Sequence, residues 1–93
     1  MNIDEFHHWL VNTIGFKSYY VEKSLNCIYV YLRNGKLHFV FNGSEVDCCL
    51  MAGGMATPET YENIIRVVFP FVDLTAPGAL KEIQEKIRGF KQQ

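Results

Sequence analysis

The chain has 93 residues, of which 48% are hydrophobic and 20% are charged, and its formal net charge is −1. This composition is typical of one globular domain and excludes collagen-like and intrinsically disordered chains. The sequence has no apolar run near the roughly 20 residues that a membrane-spanning helix needs, and its acidic start does not resemble a signal peptide. We therefore expect a single cytoplasmic domain, 1–93, with no membrane partner.

The cysteines and histidines have no pattern typical of a metal site. Cys27, Cys48 and Cys49 form an odd set without CxxC spacing, and His7 and His8 are adjacent rather than four residues apart. Adjacent residues of a strand point to opposite faces, so Cys48 and Cys49 are poorly placed to bridge each other. We expect reduced thiols, no metal and no cofactor.

The first predicted element is an amphipathic helix over residues 3–14. Apolar residues recur there at helical spacing: Ile3, Phe6, Leu10 and Ile14. Asn2 is a candidate N-cap, Glu5 stands at the N3 position of a capping box, and Gly15 follows as a stop signal.

From residue 17 to residue 51 the apolar period changes to two, and Asn-Gly pairs at 34–35 and 42–43 predict two type I′ hairpins. A longer turn at 23–26 adds an earlier strand. The resulting register joins apolar residues on one face: Val21 with Ile28, Tyr19 with Val30, Leu32 with Leu37, Val30 with Phe39, Ile28 with Phe41, Phe39 with Val46, and Leu37 with Cys48. This is a four-stranded antiparallel meander whose edge strands are 18–22 and 45–51.

Two further helices are predicted in the last third of the chain. The second has Thr57 as its N-cap and Pro58 as its first residue, and it ends at Pro70. A short apolar link over 71–74 leads to a third helix with one apolar stripe formed by Leu80, Ile83, Ile87 and Phe90. The predicted fold is an α+β two-layer sandwich, a four-stranded antiparallel meander with three helices in the order α-β-β-β-β-α-α.

The other face of the predicted sheet is rich in aromatic residues. Its predicted rows are Tyr20, Tyr29, Val40 and Glu45, then Tyr31, His38 and Asp47, then Arg33, Lys36 and Cys49 with Met51 beyond. Tyrosine offers rigid amphipathic area that favours protein interfaces. Tyrosine is also an ordinary strand former, and the sequence leaves open whether a helix covers this face.

We therefore predict a small non-enzymatic protein-binding module, a regulator, adaptor or inhibitor, that docks through this face or through an exposed edge strand. The predicted binding residues are Tyr20, Tyr29, Tyr31, His38, Val40, Arg33, Lys36 and Met51. Pairing with a second copy as a homodimer is a variant of this prediction. The small size and the lack of catalytic motifs are typical of phage and other mobile-element products.

Two alternative functions stay open. Cys49 diagonal to His38, with Asp47 opposite that histidine, suggests a thiol-dependent enzyme, although a flat sheet face lacks the cleft that such chemistry needs. The aromatic face also suggests stacking of single-stranded nucleic acid. We expect nucleic acid to be a poor partner, because Glu22 and Glu45 oppose a phosphate backbone.

Overall fold

The computed structural model describes residues 1–33, 35–52, 65–90 and 92. Its elements are the helices α1 (Ile3–Trp9) and α2 (Ala79–Ile87) and the strands β1 (Tyr19–Glu22), β2 (Cys27–Leu32), β3 (Gly35–Asn42), β4 (Glu45–Ala52) and β5 (Ile65–Asp73). The α+β class with an antiparallel sheet is confirmed. The predicted number of elements, four strands and three helices, is not confirmed, because these described ranges contain five strands and two α-helices.

Helix α1 begins at the predicted capping box. The Glu5 N–H donates to Asn2 Oδ1 over 2.9 Å, and the Asn2 N–H donates to Glu5 Oε1 over 3.0 Å. Each side chain therefore accepts a hydrogen bond from the backbone N–H of the other residue. After Trp9 the helix widens into π-helical turns, Leu10–Ile14, and it stops at Gly15, which has a φ of 93°. Residues 3–14 are therefore helical as predicted, but only Ile3–Trp9 is α-helical.

The sheet is a meander in the order β1-β2-β3-β4-β5, with antiparallel pairing throughout. The register of β1 and β2 is as predicted, with Val21 opposite Ile28 and Tyr19 opposite Val30. Between them, a 3-10 turn at Lys23–Leu25 ends at Asn26, which has a φ of 50°.

The two hairpin registers were predicted wrongly, each by two residues. Val30 lies opposite Leu37 rather than Phe39, and Phe39 lies opposite Cys48 rather than Val46. The second loop consists of Gly43 and Ser44, and a φ of 63° at Gly43 followed by no positive φ at Ser44 fits a type II′ turn rather than type I′. A shift of two residues keeps every side chain on its face, so the predicted division into faces survives.

Strand β5 replaces part of the second predicted helix. Residues 57–64 of that helix lie outside the described residues, and Ile65–Asp73 pairs with β4, so the predicted helix over 65–69 and the link over 71–74 are wrong. The prediction that 45–51 is an edge strand is also wrong, because β5 covers it. The pairing of β4 and β5 is irregular between Val46 and Cys49, and Pro70 lies in this irregular stretch, where a missing N–H is tolerated.

Both helices pack on the same side of the sheet and enclose the core. The buried residues joined there come from α1, the sheet and α2: Phe6, Leu10, Phe16, Ile28, Val30, Leu37, Phe39, Phe41, Val46, Cys48, Phe69, Ile83 and Ile87. Phe6 contributes ring contacts to Phe39 and Phe41 at centroid distances of 5.5 and 5.2 Å. The apolar stripe predicted for the last helix is confirmed, because Ile83 and Ile87 are fully buried.

The side chain of Gln92 joins the C-terminal residues to the first two strands. Its Oε1 accepts from the Lys17 N–H over 2.8 Å, and its Nε2 donates to the carbonyl oxygens of Ser18 and Tyr31 over 3.0 and 2.9 Å. The carboxamide thereby acts like a peptide group at the start of β1.

No helix among the described residues combines the length and apolar character needed to cross a membrane.

Candidate protein-interaction surface

We call the face of the sheet opposite the two helices the outer face, and its residues lie in rows across the strands. The middle row is Tyr20, Tyr29, His38, Cys49 and Val67. The next row toward the turn between β2 and β3 is Tyr31, Lys36, Met51 and Ile65. The next row toward the turn between β3 and β4 is Glu22, Cys27, Val40 and Asp47. Strand alternation produces these rows, because the residues between them in sequence are the core residues of the sheet.

Large apolar side chains are exposed along this face. The exposed fractions are 50% for Tyr20, 44% for Tyr31, 42% for Ile65 and 64% for Val67. Phe71 is 45% exposed and belongs to the same face, because its neighbour Val72 packs against the core. Tyr20 and Tyr31 lie on β1 and β2, whereas Ile65, Val67 and Phe71 lie on β5. The exposed apolar side chains therefore form two groups on one face, with the less exposed residues of β3 and β4 between them.

The rings of the middle row are ordered by mutual contact. Tyr29 and His38 are stacked, with centroids 4.4 Å apart and ring planes 3° from parallel. Tyr20 stands on the other side of Tyr29 with a centroid distance of 6.5 Å, and Lys36 Nζ lies 4.7 Å from the centroid of the Tyr29 ring. Such contacts hold the side chains in place, so a partner that binds there loses little side-chain entropy in ordering them.

Most of the predicted binding residues are brought together on the outer face. Tyr20, Tyr29, Tyr31, Lys36, His38, Val40 and Met51 occupy its three rows. Arg33 lies just beyond β2, in the turn that leads to β3, and is exposed. Their arrangement differs from the predicted rows because of the hairpin shifts: His38 lies opposite Cys49, and Asp47 lies opposite Val40.

Sequence reasoning missed the contribution of β5 to the outer face. Ile65, Val67 and Phe71 were assigned to a helix and to a link, although they supply some of the most exposed apolar area on the surface. The signal that points to a strand is the run Ile-Arg-Val-Val-Phe, which is rich in β-branched and aromatic residues.

The charges of the outer face are separated along the strand direction. Acidic residues occupy the half near the turn between β3 and β4: Glu22, Glu45, Asp47 and Asp73. Lys36 and Arg33 stand at the other end, next to the turn between β2 and β3. We call these the acidic end and the basic end. Tyr20 and Val67 lie in the row between them, and Tyr31 and Ile65 share the row of Lys36.

The register places Cys49 directly opposite His38, where a diagonal position was predicted, and it places Asp47 opposite Val40, where a position opposite His38 was predicted. Burial and the neighbouring Asp47 charge raise the pKa of the Cys49 thiol, whereas a nucleophilic cysteine needs a lowered pKa. Burial also lowers the pKa of His38, an effect that Asp47 partly opposes. All three cysteines are free, and Cys48 lies in the core on the opposite face from Cys49.

Asp47 carries an unsatisfied carboxylate oxygen in this part of the sheet. Burial raises the pKa of Asp47, and the His38 charge and a hydrogen bond from the Val40 backbone lower it in part. In the described part of the chain, Oδ1 of Asp47 is buried and has no hydrogen-bond partner. A buried carboxylate oxygen without a partner is costly, which agrees with the raised pKa of Asp47.

Comparison of the chain with protein-family models, with curated proteins and with solved structures gives no match.

Proposed function

We propose that this protein is a small non-enzymatic protein-binding module of the regulator, adaptor or inhibitor type, and that it binds through the outer face. The observation that carries the proposal is the exposure of Tyr20, Tyr31, Ile65, Val67 and Phe71 on one sheet face, away from both described helices. Exposed apolar side chains on one face, with aromatic rings held by mutual contact between them, are features of protein interfaces.

The sheet face supports docking better than the sheet edges do. Strand β1 has four residues, which offers few backbone groups to an added strand. Strand β5 is longer, but its irregular pairing and Pro70 interrupt the row of backbone donors along it. Both features are those by which natural sheets avoid strand addition, so we place the partner on the face.

The charges of the outer face favour a protein over nucleic acid. Four acidic side chains, Glu22, Glu45, Asp47 and Asp73, outnumber Lys36 and Arg33 around the tyrosines. A surface that binds single strands needs a basic groove along the phosphate backbone, in addition to rings that stack on bases. A thiol-dependent reaction is supported less well, because the raised pKa of Cys49 leaves little thiolate at neutral pH.

Photocrosslinking tests this proposal even though the partner is unidentified. The photoreactive residue p-benzoylphenylalanine replaces Tyr31 on the outer face or, as the matched control, the exposed Lys81 on α2. Each variant is expressed in cells of the source organism and irradiated, and crosslinked products are identified by mass spectrometry. We expect protein adducts from position 31 and none from position 81. Equal adduct formation at both positions, or none at position 31, contradicts the proposal.

A further inference from the structure

We infer that the outer face binds a second copy of this chain, face to face, about a two-fold axis that runs across the strands. This inference rests on the proposed function, since it names the partner of the same surface. It is carried by the separation of the acidic end from the basic end and by the exposed apolar side chains of the outer face.

The charge separation selects one orientation of the two copies. A two-fold axis parallel to the strands would place the two acidic ends over each other, which is unfavourable. An axis across the strands reverses the strand direction of the second copy, so the basic end of each copy covers the acidic end of the other. The surface is then complementary to itself, as a two-fold interface requires.

Lys36 and Asp47 are the charged pair that this orientation brings together. Each lies one row from the middle row, on opposite sides of it, and they stand on the neighbouring strands β3 and β4. Reversal about the middle row therefore places Lys36 of one copy over the acidic row of the other, offset sideways from Asp47 by about one strand spacing of 4.8 Å, and the side chains bridge the gap of about 10 Å between the sheets.

The apolar side chains are matched by the same rotation. Val67 and Tyr20 stand in the middle row, so each meets its own equivalent near the axis. Ile65 stands on β5 one row toward the basic end, and Phe71 stands on β5 toward the acidic end, so Ile65 of one copy covers Phe71 of the other. All four are exposed in the single chain and would lose that exposure together.

The size of the face predicts a reversible dimer. Five strands about 4.8 Å apart, each contributing roughly seven residues at about 3.4 Å, present roughly 500 Å² per copy. Two such faces bury roughly 1,000 Å², which is the lower limit for a specific interface. We therefore expect a dimer that dissociates on dilution.

Sedimentation velocity of the purified full chain tests the dimer across concentration and salt. The wild-type protein should shift from monomer toward dimer between about 1 μM and 1 mM, and raising NaCl should weaken the association because it screens the paired charges. Strictly monomeric wild-type protein over this range overturns the inference. This measurement needs no variant, so no folding defect can obscure it.

A charge swap tests the orientation. Lys36→Glu and Asp47→Lys each place like charges in contact, so each variant alone should self-associate at least about tenfold more weakly. An equal mixture of the two variants should recover association, because both cross-copy pairs are then of opposite sign. Lys81→Glu on α2 is the control, with the same charge change away from the outer face, and it should dimerise like the wild type. Failure of the mixture to recover, with both variants folded by circular dichroism, overturns the proposed orientation.

The two proposals fail separately. Purified protein that stays monomeric, while position 31 captures a different protein in cells, overturns the second-copy inference and leaves the proposed function standing. A monomer with no crosslink from position 31 overturns both.

Discussion

Gln92 attaches the C-terminal residues to the start of the sheet, and its replacement by alanine should destabilise the domain measurably. The change removes three hydrogen bonds, from the Lys17 N–H over 2.8 Å and to the Ser18 and Tyr31 carbonyl oxygens over 3.0 and 2.9 Å. Each such bond contributes about 0.5–1.5 kcal/mol, and these are solvent-exposed, so we expect a total loss of about 1–2 kcal/mol. For a domain of this size, each kcal/mol lowers the thermal midpoint by about 4–8 °C.

Gln92→Glu gives a sharper version of the same test. The carboxylate still accepts from the Lys17 N–H, but its second oxygen faces the Ser18 and Tyr31 carbonyl oxygens, where Gln92 donates. At pH 7 this variant should be at least as unstable as Gln92→Ala. The two carbonyls favour the protonated acid, so the pKa of the new carboxyl should be higher in the folded than in the unfolded chain. Its penalty should therefore shrink as the pH falls through that folded pKa.

Thermal unfolding followed by circular dichroism, from pH 4 to pH 8, measures both effects. Gln84→Glu on the exposed side of α2 is the matched control and should stay within about 0.5 kcal/mol of the wild type. The reasoning is refuted if Gln92→Glu has the wild-type midpoint at pH 7, because the carboxamide then makes no net contribution. It is refuted equally if Gln92→Glu and Gln84→Glu show the same dependence on pH.

The remaining predictions concern the core, the outer face and the thiol. Ile83→Ala should cost about 2–5 kcal/mol in urea unfolding because the side chain is fully buried between the helix and the sheet; a loss below about 1 kcal/mol would show that α2 does not pack as described. Tyr31→Ser should change stability by less than about 1 kcal/mol, since the ring is 44% exposed, yet weaken self-association measured by sedimentation. A collapse of stability in that variant would assign the tyrosine to the core. Native-state alkylation by iodoacetamide should be slow at pH 7 and accelerate only well above it, because the pKa of Cys49 is raised; a rate plateau near neutral pH would contradict this.

The elements that the sequence determined correctly depend on local chemistry. The capping box of Asn2 and Glu5 and the stop at Gly15 bound the first helix because all of their hydrogen bonds are made within one or two turns. The division of the sheet into a buried and an outer face was also predicted correctly. It depends on the alternation of side chains along each strand, which a two-residue shift in register leaves unchanged.

The tertiary structure decided the remaining features, above all the state of residues 65–69. Ile65, Val68 and Phe69 fit both a helical stripe and a strand, so periodicity alone does not separate the two. Pairing with β4 selects the strand, because the ladder to β4 forms only with an extended chain and this pairing brings Phe69 opposite Cys48 in the core. This choice adds Ile65 and Val67 to the outer face and turns an aromatic patch into a broader apolar surface. The sequence by itself determined which side chains point away from the core, and long-range backbone pairing decided which of them lie next to each other.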